Sequence, residues 1–360
     1  MTALGETLGF DRGPAMANRM MLAPLTNFQS HEDGTLSDDE YRWLTKRAEG
    51  GFGLTMTCAA HVQESGKAFS GQLGIWNDSH IEGLKRLADG IHAAGSTSSV
   101  QIHHGGERAV RELNGGDLVA PWDGGEFGAR ALTTDEVRAA RDAYVAAAVR
   151  AEKAGFHGVE IHGAHGYLLC EFLNVEQNRR EDGYGSDYAG RTRIIREVIA
   201  GIRACTGKDF QLGLRLSPER FGVDIGETRQ FAQELMTGGD LDYLDMSLWD
   251  CFKEPIDEGH KGKPLIDWFT GLERGTCRLG VAGKLMGAEK AQACLDHGAD
   301  FVLIGRGAIL HHDWPKKALA DAGFAATPLP VTRAYLESEF LGPAFVNYMA
   351  TGWPNFVSDR

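Results

Sequence analysis

Eight short, apolar segments rich in β-branched residues recur along this chain, and segments with helical periodicity repeatedly follow them. This order predicts parallel strands joined by crossover helices, and eight is the number of strands that closes a (β/α)₈ barrel, or TIM barrel. No repeat of the sequence itself is visible, so the prediction depends on the alternation alone. The predicted strands are residues 18–23, 53–60, 98–104, 157–162, 210–216, 242–247, 277–282 and 300–305.

The clearest predicted helix begins after Thr133. Thr133 and Glu136 have the T-x-x-E spacing of a capping box, and apolar side chains follow at helical spacing up to Gly155, a residue typical of a helix C-terminus. The same patterns predict further helices at residues 37–49, 79–94, 191–206, 227–238 and 287–297.

Two segments do not follow this alternation. Residues 105–132 contain seven glycines together with Pro121 and Trp122, too many breaks for one helix or strand. We interpret them as a long loop after the third strand that caps the barrel mouth. Residues 328–360 are rich in aromatic side chains for a tail. We therefore divide the chain into a barrel, residues 1–327, and a C-terminal extension, residues 328–360, that packs on the barrel or on a neighbouring subunit.

Composition restricts the classes of function. The 37 basic and 50 acidic side chains give a net charge of −13, which repels nucleic acid and acidic membranes, so we expect a small-molecule substrate and neither of those partners. No apolar run approaches the ~18 residues of a membrane span and no signal peptide is visible, which predicts a cytoplasmic protein. The six scattered cysteines predict reduced thiols. The sequence leaves open whether the chain forms a homo-oligomer.

Two histidines and a tyrosine lie close together where the fourth predicted strand ends. His162, His165 and Tyr167 follow an apolar run, and the loops after barrel strands are where TIM barrels build active sites. An isolated histidine is more often a buried, hydrogen-bonded core residue than a functional one. Three such groups within six residues, beside Glu160, instead favour a hydrogen-bonding and proton-donating site.

The last two predicted strands end in sequences suited to phosphate. Gly283-Lys284 follows the seventh strand and Gly305-Arg306 follows the eighth. A glycine and then a cationic residue therefore come at the end of each of these two strands. Glycine lets backbone N–H groups approach phosphate oxygens, and barrels frequently bind phosphate with these two loops. Either glycine alone would more simply mark a tight turn. The pair favours a phosphate-bearing ligand.

A buried cation is predicted in the fifth strand. Arg215 lies inside an apolar run and needs a partner, since an unpaired buried charge is costly. The partner is either a carboxylate of the barrel, such as Glu160, or an anionic ligand such as a reduced flavin ring. Pro24 and Thr26 after the first strand, and Gln101 in the third, add further groups that a cofactor can use.

These residues together resemble the Old Yellow Enzyme family of flavin oxidoreductases, over nearly the whole predicted barrel. The resemblance implies a TIM barrel that holds FMN noncovalently at the C-terminal ends of its strands. It also implies that NADPH or NADH reduces the flavin, whose N5 passes a hydride to an activated alkene such as an enone, a nitroalkene or a quinone. The matching motifs are Leu22-Ala23-Pro24-Leu25-Thr26, Gln101-Ile102-His103-His104-Gly105, Gly155 through Tyr167, Asn178-x-Arg180-x-Asp182-x-Tyr184-Gly185, Arg215-Leu216-Ser217-Pro218 and Gly298-Ala299-Asp300 through Gly305-Arg306.

The resemblance also implies a role for each matching residue. Contacts to the flavin ring fall on Pro24, Thr26, Ala59 or Ala60, Gln101 and Arg215, and the phosphate falls on Gly283, Lys284, Gly305 and Arg306. His162 and His165 would donate hydrogen bonds to the carbonyl oxygen of the substrate, and Tyr167 would be the proton donor. Phe28 stands where some members have a tyrosine that contacts the substrate, so the resemblance implies that Phe28 contacts the substrate too. Gly106 and Gly190 replace an arginine and an asparagine that are usual in the family.

Two other classes of function stay open at this stage. A metal-dependent TIM-barrel hydrolase is suggested by His103-His104 and by His311-His312 with Asp313, because imidazoles and carboxylates at strand ends bind zinc. Since that class gives Arg215 no role, our prediction includes no metal. A non-catalytic flavin-binding protein is the other alternative. The choice between NADH and NADPH is open too, because no dinucleotide-binding motif is present.

Overall fold

Eight parallel strands close into a barrel in the computed structural model, which describes residues 3–359. Neighbours along the chain pair in order, and the last strand pairs with the first, with Met21 opposite Leu303. Each strand overlaps a segment predicted from the sequence, so the TIM-barrel prediction is confirmed. The strands are β1 (Met20–Leu22), β2 (Leu54–His61), β3 (Thr97–His103), β4 (Gly158–Gly163), β5 (Gln211–Leu216), β6 (Tyr243–Ser247), β7 (Arg278–Ala282) and β8 (Phe301–Ile304).

The helices predicted from periodicity are all present. The capping box is formed as expected, because the Glu136 N–H donates to Thr133 Oγ1 at 3.2 Å and the Thr133 N–H donates to Glu136 Oε2 at 2.8 Å. Past this helix, Gly155 has φ +86°, the left-handed conformation that ends a helix. The α-helices are α1 (Asp38–Glu49), α2 (Ile81–Ala93), α3 (Thr134–Lys153), α4 (Leu168–Phe172), α5 (Tyr188–Cys205), α6 (Ile225–Thr237), α7 (Asp267–Thr270), α8 (Ala288–Asp296), α9 (Arg306–Leu310), α10 (Trp314–Ala320), α11 (Arg333–Ser338) and α12 (Pro343–Gly352).

Alternation along the strands separates two cores. On β4, Val159 and Ile161 belong to the large apolar layer between barrel and helices, whereas Glu160 and His162 alternate with them and face the barrel interior. A smaller apolar cluster, which includes Met56, Tyr243 and Phe301, fills the lower interior. The polar interior side chains therefore lie toward the C-terminal ends of the strands, where the site is expected.

The two segments outside the alternation have structure of their own. The loop after β3 contains a short parallel pair, Val119–Ala120 with Arg130–Ala131, and a small apolar cluster around Trp122. In the C-terminal extension, the Phe345 ring packs against Trp43 of α1, with ring centroids 4.9 Å apart. This extension therefore contacts the barrel of its own chain.

Two further sequence expectations concern the thiols and the membrane. Each of the six cysteines lies in the described part of the chain and is a free thiol. Between residues 3 and 359 no helix is both long enough and apolar enough to cross a bilayer.

Candidate active site

A cavity of about 710 Å³ opens at the C-terminal ends of the barrel strands. Its volume is in the range of small-molecule and cofactor sites. All three predicted catalytic side chains and nearly all predicted cofactor contacts lie in its wall. The predicted residues that line it are Pro24, Thr26, Ala59, Gln101, His162, His165, Tyr167, Arg215, Gly283, Lys284, Gly305 and Arg306.

Two predicted residues lie elsewhere. Ala60 is fully buried in the layer between barrel and helices, so of the alternatives Ala59 and Ala60 only Ala59 faces the cavity. Phe28 does not line the cavity either, which corrects the expectation that it contacts substrate directly. Its ring packs between Phe69 and Tyr348, with centroids 5.0 Å and 4.6 Å away, and these two neighbours line the wall instead.

The two histidines are held as a hydrogen-bonded pair. His162 points inward from β4, and His165 follows with φ +63°, a conformation supported by its N–H donating to Ser217 Oγ at 2.9 Å. His162 Nε2 and His165 Nδ1 are 2.9 Å apart, and His165 Nε2 lies 2.7 Å from Ser247 Oγ. A ligand oxygen that enters here therefore competes with the bond between the two rings.

Burial fixes the protonation of this cluster at neutral pH. Desolvation lowers the pKa of His162 well below its usual value, helped by His165 and Arg215, and it lowers the pKa of His165 in the same way. Both rings are therefore neutral and each carries one N–H. Burial raises the pKa of Tyr167, so its phenol keeps its proton. In the described chain no group hydrogen-bonds to that hydroxyl, which leaves its proton for a ligand.

Arg215 has a carboxylate of the barrel as its partner, and this carboxylate is Asp245 and not Glu160, the residue named as an example from the sequence. Its Nε lies 2.9 Å from Asp245 Oδ2, because the two residues are in register on the paired strands β5 and β6. Glu160 instead accepts a hydrogen bond from Gln101 Nε2 at 2.7 Å. Burial raises the pKa of both carboxyls, and Arg215 opposes this effect. The cavity floor is thus a buried polar layer that carries one guanidinium.

The opposite end of the cavity is suited to a phosphate. A Cβ on Gly283 would lie 2.8 Å from the backbone nitrogen of Cys251, so only glycine fits this turn. Lys284 is neutralised in part by Asp250, with Nζ and Oδ2 3.2 Å apart. The Arg306 guanidinium lines the cavity and has neither a hydrogen-bond nor an ion-pair partner within residues 3–359. An unpaired cation beside two glycine turns fits an anionic group.

Sequence reasoning missed the residues that the loops and the C-terminal extension supply. These side chains line the outer cavity, and no motif marks them because tertiary packing alone places them there. They include Arg108 after β3, Arg220 and Phe221 after β5, Trp249 after β6, and Tyr348 and Trp353 from the extension.

The two glycines that depart from the family pattern have steric causes. Gly106 has φ +61°, and a Cβ there would lie 2.2 Å from Glu171 Oε1, so a side chain at this position would strain the backbone and require the Glu171 carboxyl to move. A Cβ on Gly190 would lie 2.2 Å from the carbonyl oxygen of Gly185. Arg108, two residues after Gly106, is the cation that reaches the cavity from this loop.

The histidine pairs that suggested a metal site are engaged within the fold. His103 Nδ1 lies 3.2 Å from Gln72 Nε2, and His312 Nδ1 lies 2.6 Å from Glu339 Oε2. His311 Nε2 accepts from the N–H of Thr327 at 3.0 Å. Across residues 3–359 no group of three or more histidine, cysteine, aspartate or glutamate side chains is arranged to hold a metal ion.

Comparison with known proteins shows that this barrel and its cavity belong to a family of flavin oxidoreductases. The chain matches the NADH:flavin oxidoreductase / NADH oxidase family over residues 12–322 and belongs to it. It is 35% identical over 327 residues to the probable NADH-dependent flavin oxidoreductase YqiG of Bacillus subtilis, covering 87% of each chain. It is 33% identical over 339 residues to the NADH:acrylate oxidoreductase of Vibrio harveyi, covering 89% of this chain and 33% of that protein.

A solved structure extends the match to the whole fold. The Old Yellow Enzyme homologue of Zymomonas mobilis superimposes with a TM-score of 0.79 at 26% identity, covering 96% of this chain and 99% of that one. The resemblance to the Old Yellow Enzyme family is confirmed. FMN is accordingly the cofactor, and NADH or NADPH is the reductant.

Proposed function

We propose that this chain reduces activated C=C bonds, those of enones, nitroalkenes and quinones, with electrons that FMN takes from NADH or NADPH. The observation that carries the proposal is the neutral His162–His165 pair beside a phenol, Tyr167, whose hydroxyl has no partner in the described chain. Hydrogen-bond donors beside a proton donor are the groups that such a reduction needs. The name of the Vibrio harveyi relative, which refers to acrylate, points to the same type of bond.

The cavity residues divide into a ring end and a phosphate end for FMN. Pro24, Thr26, Ala59, Gln101 and Arg215 would surround the ring, and Gly283, Lys284, Gly305 and Arg306 would hold the phosphate. Bound FMN supplies the hydride. The positive charge of Arg215 suits a cofactor that becomes anionic on reduction.

The remaining chemistry belongs to the histidines and the tyrosine. The oxygen of the activating group would accept hydrogen bonds from His162 and His165 once the bond between the rings breaks and each neutral ring takes the tautomer whose N–H faces the ligand. Donors at that oxygen stabilise the negative charge that develops there as the double bond is reduced. Tyr167 would then give its proton to the neighbouring carbon. A neutral imidazole already donates one N–H, so no charged form of the histidines is needed.

The direct test is a visible absorption experiment on the purified, FMN-loaded protein under anaerobic conditions. NADH or NADPH is expected to bleach the flavin, and cyclohexenone is expected to restore the oxidised spectrum with formation of cyclohexanone. A flavin that bleaches but is not reoxidised by enones, nitroalkenes or quinones would instead indicate a flavin-binding protein without this activity.

His162→Ala is expected to weaken binding of an enone or a phenol by about 10- to 100-fold, because a hydrogen bond in a buried site is lost. FMN content should stay near that of the unmodified protein, since His162 is assigned to the substrate. Titration of the flavin spectrum with a phenol measures the affinity for the ligand. The ratio of flavin to protein absorbance measures the FMN content. Loss of FMN with ligand binding intact would show that the role assignment is wrong.

A further inference from the structure

Arg108 is a cation in the cavity wall without an ion-pair partner among residues 3–359. It is partly buried, and its guanidinium carbon lies 5.9 Å from the centroid of the Phe127 ring and 5.3 Å from that of Phe221. Within residues 3–359 its guanidinium makes neither a hydrogen bond nor an ion pair. Aromatic contacts on two sides position the guanidinium and leave its N–H donors free.

Arg108 lies directly beside the proposed catalytic residues. Gly166, between His165 and Tyr167, has φ +72°, and a Cβ placed on it would be 3.2 Å from Arg108 Nε. The guanidinium thus packs over the backbone that joins the two catalytic side chains. Its charge acts on both of them, because it opposes the burial that raises the pKa of Tyr167 and adds to the burial that lowers the pKa of His165.

The nearest carboxyl groups are engaged elsewhere. Glu171 Oε1 accepts from the backbone N–H of Glu107 at 2.9 Å, and Glu107 Oε2 accepts from Trp122 Nε1 at 3.3 Å. Burial raises the pKa of both carboxyls, which favours their neutral forms, and the nearby charge of Arg108 opposes this effect. Neither carboxyl forms an ion pair with the Arg108 guanidinium. A partly desolvated, uncompensated guanidinium favours an anion at this place.

We propose that Arg108 binds a carboxylate carried by the alkene, so that the preferred substrates are alkenes with an activating carbonyl group and a separate carboxylate, such as 4-oxo-2-alkenoates. This inference rests on the proposed function and adds the substrate class. The phosphates of NADH or NADPH are a second source of negative charge. A ribose separates them from the nicotinamide that reacts, whereas Arg108 adjoins the reacting groups. A carboxylate a few bonds from the double bond matches this position better.

The test compares (E)-4-oxopent-2-enoate with its methyl ester, which keeps the shape of the acid and lacks its charge. Calorimetric titration uses the FMN-loaded protein with oxidised flavin, so binding is measured without turnover. Arg108→Gln is expected to raise the Kd of the acid by about 10- to 100-fold, the value of a charge-assisted hydrogen bond, and that of the ester by less than about threefold. Arg108→Lys should recover most of the affinity for the acid because the charge is restored.

A charge control comes from Arg138, which is exposed on α3 and forms an ion pair with Asp135 at 3.0 Å. Arg138→Gln changes the net charge by the same amount and should leave both Kd values unchanged. Equal weakening of acid and ester by Arg108→Gln would indicate a packing role and overturn the inference. A raised KM for NADH or NADPH with an unchanged ratio of acid to ester affinity would assign Arg108 to the dinucleotide, and would overturn it as well.

Turnover is measured separately with NADH and NADPH. If the unmodified protein reduces neither the acid nor the ester, the proposed function fails, yet the Kd comparison still decides whether Arg108 binds the carboxylate. If both are reduced and Arg108→Gln leaves the acid's Kd unchanged, only the inference about Arg108 fails.

Discussion

Tyr167→Phe is expected to slow the reduction of an activated alkene by about 10²- to 10⁴-fold, the usual contribution of a general acid. The change removes one hydroxyl and keeps the ring, which packs 4.4 Å from the His103 ring and 5.2 Å from the His162 ring between centroids. Fold and flavin content should therefore be retained. The measurement mixes protein already reduced by NADH with cyclohexenone in a stopped-flow instrument and follows the return of flavin absorbance.

Two comparisons make this result specific. Reduction of the flavin by NADH needs no proton from the tyrosine, so its rate in Tyr167→Phe should stay within about threefold of the unmodified protein. The cavity wall also holds a second phenol, Tyr348 of the C-terminal extension. If Tyr348→Phe produces the large loss and Tyr167→Phe does not, the proton donor has been assigned to the wrong residue.

Local sequence information was sufficient for the strands and for the centre of the site. His162, His165 and Tyr167 lie within six residues, so a short strand and its loop bring them together whatever the rest of the chain does. Alternation along β4 then directs His162 inward while Ile161 packs outward. The glycine turns after β7 and β8 are local features of the same kind. The two-residue period of a strand and the short spacing of these residues along the chain determine such arrangements.

Contacts between distant segments were not predictable in this way. The partner of Arg215 is Asp245 and not Glu160, because the register of β5 on β6 decides which carboxylate lies opposite, and one sequence carries no signal for that register. Arg108 and Trp353 reach the cavity from a long loop and from the C-terminal extension. Phe28 was misplaced for the same reason, since the Tyr348 ring packs against it from the far end of the chain.

Arg215→Gln is expected to lower the free energy of unfolding by about 1 kcal/mol at pH 7 and by about 3–5 kcal/mol at more alkaline pH, because it leaves the Asp245 carboxylate buried without its counter-charge. Both side chains are nearly inaccessible to solvent, so water cannot replace the guanidinium. The same change removes the cation from the ring end of the cofactor site, and FMN content should fall. Urea unfolding of the FMN-free proteins separates the loss of stability from the loss of cofactor.

The double variant Arg215→Gln/Asp245→Asn should regain most of that stability, since it removes the unpaired negative charge of Asp245 together with the positive charge of Arg215. Burial raises the pKa of Asp245 and Arg215 opposes this, so the pKa of the carboxyl rises further in the single variant. An acid whose pKa is higher in the folded state than in the unfolded state loses stability as pH rises above the unfolded value of about 4. With Arg215 present the pKa of Asp245 is already raised to about 6, so the deficit of the single variant should be small below about pH 6 and grow as the pH rises above it. If the loss in free energy of unfolding is independent of pH, or if the double variant shows the same loss, its cause is changed packing and not the buried charge.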